Sequence, residues 1–145
     1  MGRLLVIDAD GDLAAALGRI VGAERVRVER AATPAQALAA ARVPPAAVFV
    51  RTRPGEVGAA GLVSRLRRAQ PAVPVIVVAR EPAPQEELVL RREGILCYLQ
   101  EPVADAVLRE VVAAATPYCH DSWFRAGTVS GRDRGAPVPL REDTR

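Results

Sequence analysis

Five short aliphatic runs punctuate the first hundred residues, and they constrain the fold more than any other feature of the chain. They are Leu4-Leu5-Val6-Ile7, Val26-Arg27-Val28, Ala46-Ala47-Val48-Phe49-Val50, Val75-Ile76-Val77-Val78 and Ile95-Leu96-Cys97-Tyr98-Leu99. Each is too short for a buried helix and most are rich in β-branched residues, which predicts strands. The first, third and fourth are apolar on both faces, as internal strands of a parallel sheet covered on both sides must be. The second alternates Val with Arg, which predicts an edge strand with one wet face.

The stretches between the runs carry helical spacing. Residues 12–21 place Leu13, Leu17, Ile20 and Val21 on one face. Thr33-Pro34 is a start signal, an N-cap followed by proline at the first helical position, for a helix over 35–42. Over 59–69, Leu62, Val63 and Leu66 point inward, with Arg65, Arg67 and Arg68 mostly outward. A short helix over 84–93 stops at Gly94 and sets Glu87 and Arg91 four residues apart. The last, over 102–115, directs Val103, Val107, Val111 and Val112 inward. Strand and helix alternate five times, which predicts an α/β sandwich with right-handed crossovers.

The pattern fails beyond Pro117. Residues 1–116 are therefore expected as one domain and residues 117–145 as a C-terminal extension, largely disordered where Gly, Pro, Arg and Asp dominate. Tyr118, Trp123 and Phe124 supply three of the five aromatic side chains of the whole chain. That patch is expected to fold back on the domain or to dock on a partner.

With only 3% aromatic residues against 50% hydrophobic, the core must be built from Val, Leu, Ile and Ala. The chain has neither lysine nor asparagine, so all 20 basic residues are arginine. No side-chain Schiff base can form, and a phosphate loop of the GxxxxGK[ST] type is excluded. The net charge of +3 is thinly spread, with no concentrated basic stripe, so nucleic acid is not a favoured partner. Cys97 and Cys119 have no disulfide or metal spacing and read as idle thiols of a reducing compartment. No run approaches the roughly 20 apolar residues of a membrane span, and the short apolar start is no signal peptide. The expectation is a cytoplasmic protein with no membrane attachment.

In an open parallel sheet, sites form at the carboxyl ends of the strands. Those ends here read Asp8-Ala9-Asp10-Gly11-Asp12, Arg51-Thr52-Arg53-Pro54-Gly55, Ala79-Arg80-Glu81 and Gln100-Glu101-Pro102. In this order the sequence resembles the receiver domain of bacterial response regulators, from residue 3 to about 116. The carriers are the first apolar run leading into Asp8 and Asp10, the turn at Pro54-Gly55, the segment Pro74 to Ala79, and Tyr98-Leu99-Gln100-Glu101-Pro102. The last stands where receivers have an aromatic residue shortly before a Lys-Pro pair. The resemblance implies a CheY-like fold, a three-layer α/β sandwich with a five-stranded parallel sheet in the order 2-1-3-4-5 and five helices.

The departures concern the chemistry. Receivers accept a phosphoryl group on an aspartate ending the third strand. Mg²⁺ on an acidic pair, a hydroxyl ending the fourth strand and a lysine ending the fifth assist it. Here the acceptor position falls on Arg51, or on Val50 if the gap before Pro54 is placed differently. Of the acidic pair Asp8 remains, Ala9 replaces its neighbour and Asp10 is only nearby; Ala79 takes the hydroxyl position and Glu101 the lysine position. Phosphotransfer by the family mechanism is thus not expected, nor is a bound metal or other cofactor.

Arginine at the acceptor and glutamate at the lysine position reverse the charges across one pocket. The expectation is that Arg51 bridges Glu101, Asp8 or both, since its planar fork suits a bidentate carboxylate contact; the alternative is an Arg51 that snorkels to solvent. Arg51, Arg53, Arg65, Arg67 and Arg68 are also read as a local basic patch. Cys119-His120-Asp121-Ser122 carries catalytic residue types, but neighbours in sequence seldom face one site. The expected interaction face, implied by the resemblance, is the helix 4, strand 5, helix 5 surface with Leu88, Arg91, Arg92, Tyr98 and Arg109. The functional expectation is a pseudo-receiver, not an enzyme. It acts independently of phosphorylation as an adaptor in a bacterial two-component-like pathway, with a kinase, a transcription regulator or a second copy as partner. The alternative is a sensor that binds a small anionic metabolite in the altered pocket.

Overall fold

The aliphatic runs pair side by side into one parallel sheet in a computed structural model, which describes residues 2–22, 26–52, 58–81 and 83–116. The strands are β1 (Gly2–Ile7), β2 (Val26–Ala31), β3 (Ala47–Thr52), β4 (Val75–Ala79) and β5 (Cys97–Gln100), in the order β2-β1-β3-β4-β5. Between and after them come α1 (Asp12–Val21), α2 (Pro34–Ala40), α3 (Ala59–Ala69), α4 (Pro84–Arg92) and α5 (Asp105–Ala115). This is the expected three-layer α/β sandwich with the expected strand order.

Side chains alternate across a strand, so each central strand feeds two cores. Leu4, Val6, Phe49, Ile76 and Val78 meet Leu13, Leu17 and Ile20 of α1 and Leu108, Val111 and Val112 of α5. On the opposite face Leu5, Ile7, Val48, Val50, Val75 and Val77 pack against Ala37 of α2, Leu62, Val63 and Leu66 of α3, and Leu90 of α4. At about 25 cal/mol per Å² of apolar area, such burial supplies most of the stabilisation.

Local signals act where the sequence places them. The Thr33 hydroxyl accepts the Gln36 amide at 3.2 Å, with Pro34 opening α2. The Gln36 side chain reaches back to accept the Ala32 amide at 2.8 Å, so donors at the helix start are satisfied reciprocally. Gly94 follows α4 at φ 91°, a left-handed conformation that glycine adopts without penalty. Glu87 and Arg91 form the expected pair at 2.8 Å.

Several expectations are corrected. α5 begins at Asp105 and not at Pro102, and α2 ends at Ala40 and not at Arg42. Val107 is not inward: it is 37% exposed, and Leu108 is the buried residue beside it. The periodicity of Val residues misled there, because the buried stripe of α5 passes through a leucine one position on. The fifth strand is shorter than its apolar run, and as the second edge of the sheet it is only half-buried. Arg67 turns inward and donates to the carbonyls of Pro71 at 2.9 Å and Val73 at 3.2 Å. The residues from Pro117 onward, Cys119 to Ser122 among them, and the Pro54-Gly55 turn lie outside the described residues.

Candidate functional site: a buried arginine held by three carboxylates

Parallel register brings the expected pocket together. Ile7 pairs with Val50, and Val50 with Val77, so the next residues, Asp8 and Arg51, emerge side by side at the carboxyl edge. Alternation sends both towards the α1 and α5 layer, because Val6 and Phe49, two residues earlier, already face that core. Val50 lies on the other face with Val48, buried against α3 and α4. The open choice between Val50 and Arg51 is thereby decided: Arg51 occupies the pocket.

Its guanidinium is clamped from two sides. Nε donates to Glu101 Oε2 at 3.0 Å and one terminal nitrogen donates to Glu101 Oε1 at 3.1 Å, a bidentate fork. The other terminal nitrogen donates to Asp8 Oδ1 at 3.1 Å and to Asp10 Oδ2 at 3.3 Å. The Asp8 side chain is 0% exposed and that of Arg51 8%, so Arg51 does not snorkel to solvent and does not belong to the basic patch with Arg65 and Arg68.

Asp8 is committed on its second oxygen as well. Oδ2 accepts the amide of Leu13 at 2.7 Å and that of Ala14 at 3.2 Å, capping α1 from the preceding strand. Gly11 at the N-cap has no side chain to cap with, so Asp8 performs that role. Burial opposes its ionisation, but the Ala14 amide, the Arg51 guanidinium and the Leu13 amide together hold its carboxyl below the ordinary range. Burial likewise opposes charge on Arg51, and the hydrogen bonds it donates to Glu101 and Asp8 more than reverse it, raising its pKa.

Two further arginines shape the rim, and sequence reasoning missed both. Arg30, near the end of β2, donates to the carbonyls of Asp8 at 2.8 Å and Ala9 at 2.6 Å, which pins the acidic loop. The signal for it was available in the strand order, since β2 beside β1 sets residue 30 next to that loop. Arg80 approaches Asp10 at 4.0 Å. Ala79 is fully buried with no functional atom to offer. Thr52 pairs with Ala79 in register, but alternation places it on the face opposite Arg51.

The arrangement leaves little chemistry open. A guanidinium stands where a cation shared by Asp8 and Asp10 would sit, and no group of three or more metal-type ligands occurs among the described residues. An entering anion meets three carboxylates around Arg51.

The residues expected on the interaction face fall on α4, β5 and α5. Leu88, Arg91, Arg92 and Arg109 are exposed, and Tyr98 is half-buried with its hydroxyl donating to Glu86 of α4 at 3.3 Å. Burial first, then the nearby Glu86 carboxylate, raises the Tyr98 pKa. Leu88 is 52% exposed and its neighbour Val89 42% exposed, two apolar side chains at the surface of α4. Among the described residues no helix is long and apolar enough to cross a membrane.

No protein-family model matches the sequence, and no curated protein matches it. Solved structures do match. NtrX from Brucella abortus is similar at TM-score 0.70 and 21% identity over 81% of this chain, which spans 27% of the NtrX chain. A response regulator receiver domain protein from Clostridium thermocellum matches at TM-score 0.70 and 16% identity, covering 81% of this chain and 96% of that one. A response regulator from Thermotoga maritima matches at TM-score 0.68 and 18% identity, covering 81% and 98%. The chain has the fold of response-regulator receiver domains.

Proposed function

We propose that this receiver fold serves two-component-type signalling as a phosphorylation-independent adaptor, a pseudo-receiver that works by binding protein and performs no catalysis. The observation that carries the reading is Arg51. It fills the acceptor position and is held by Glu101, Asp8 and Asp10 within 3.3 Å. A guanidinium cannot form an acyl phosphate, and the one fully buried carboxylate of the pocket already has both oxygens engaged. The internal ion pair replaces metal and phosphate with groups that are always present, so the pocket rests in one state. The α4, β5, α5 surface offers apolar and cationic groups to a partner, Leu88 and Val89 beside Arg91 and Arg92. A small anionic ligand is the less supported occupant, because the acidic groups around Arg51 repel it.

The test is an NMR titration of the labelled protein with Mg²⁺ and beryllofluoride, which imitates a phosphorylated aspartate. Amides around Asp8, Arg51 and Glu101 are expected to stay in place. A saturable shift there overturns the proposal and makes the domain a live switch.

A further inference from the structure

The end of the sheet opposite the ion pair carries an apolar groove of about 780 Å³. Its walls include Val43, Pro44, Ala72 and Pro74 from the loops before β3 and β4, and Ala114 and Ala115 from the end of α5. Val43 is 69% exposed, the most exposed large hydrophobic side chain among the described residues. Apart from Arg3 and Arg27 the lining is Gly, Ala, Val and Pro, with no aromatic side chain, which leaves room for aromatic rings but provides none.

The chain itself emerges at the rim of this groove. α5 ends at Ala115, a wall residue, and Thr116 directly after it is the last described residue, so the described chain ends at the groove wall. The next eight residues hold Tyr118, Trp123 and Phe124, whereas the 116 residues before them hold only Phe49 and Tyr98. Trp123 lies seven residues past Thr116, a reach of up to about 24 Å when extended, ample for any part of the groove. Tethering also gives the segment a millimolar-scale effective concentration there. Asp121 within the segment complements Arg27 at the groove.

We propose that residues 117–124 of this chain dock back into this groove and cover it with Tyr118, Trp123 and Phe124. The inference is independent of the signalling role above. Docking removes Val43 and large aromatic surface from water together, and it leaves the opposite end of the sheet, with Arg51, untouched.

Trp123 is the only tryptophan, so its emission reports its own surroundings. In the full chain the emission is expected blue-shifted from free tryptophan, weakly quenched by acrylamide, and unchanged on dilution. Val43→Asp and Ala72→Glu, both at exposed wall positions, are expected to move the emission to longer wavelength and raise quenching several-fold. Circular dichroism confirms that each variant remains folded, and either folded variant is a sufficient test. A solvated emission in the unaltered chain overturns the proposal. So does burial that survives a folded wall variant, which places the ring elsewhere, or burial lost on dilution, which makes a second copy the occupant.

Discussion

Arg51 and Asp8 depend on each other in a way that neither does on water. Breaking a buried pair by removing one partner leaves an uncompensated charge, so Arg51→Ala is expected to cost about 3 kcal/mol, read by urea denaturation. A double-mutant cycle with Glu101→Ala is expected to show strong coupling through the bidentate fork. Acid acts through Asp8. Its folded-state pKa lies below the ordinary 3.8, so its contribution is complete above that value and is lost as the pH falls through the lowered one. Asp8→Asn should therefore flatten the acid limb of a stability profile below the ordinary carboxylate value of 3.8, in addition to lowering the plateau. Cys97 behaves differently: burial pushes its thiol up to about 11, with Arg91 opposing only weakly, so it stays a thiol. In a Cys119→Ser background, Cys97 is expected to react far more slowly than a free thiol with a disulfide reagent at pH 8.

At the scale of elements, the legible parts of the sequence were those whose signal is local. The Thr33-Pro34 start, the Gly94 stop and the α1 stripe of Leu13, Leu17 and Ile20 all appear where expected, because caps and helical faces are fixed within a turn or two. Thr33→Ala should accordingly lower stability by about 1 kcal/mol, measured by thermal or urea unfolding. The errors sit where tertiary contacts choose among equivalent local options. Val103, Val111 and Val112 meet the core as expected, but Val107 does not, because the buried stripe of α5 passes through Leu108. Arg67 looked solvated, but its guanidinium finds the carbonyls of residues 71 and 73. Asp8 capping α1 was not anticipated, since the cap comes from a strand end five residues before the donor.

The molecule as a whole is two apolar layers sharing one sheet. Every central strand contributes to both, so neither layer can melt while the other persists. Leu17→Ala in the α1 layer and Leu90→Ala in the α4 layer should each cost about 2–5 kcal/mol. Both should leave a single unfolding transition by circular dichroism; two separate transitions for either variant would show that the layers are independent.

The sequence alone determined the class of fold, since short β-branched runs alternating with amphipathic stretches have few other solutions than a covered parallel sheet. It also determined that the pocket has no lysine, which is a matter of composition, and that neither candidate for the acceptor position, Val50 or Arg51, is a carboxylate. Only the tertiary structure decided that Arg51 and not Val50 occupies the site, and that Glu101, fifty residues away, closes on it. Strand register and side-chain parity set those outcomes, and both arise from pairing between distant segments that no local pattern encodes.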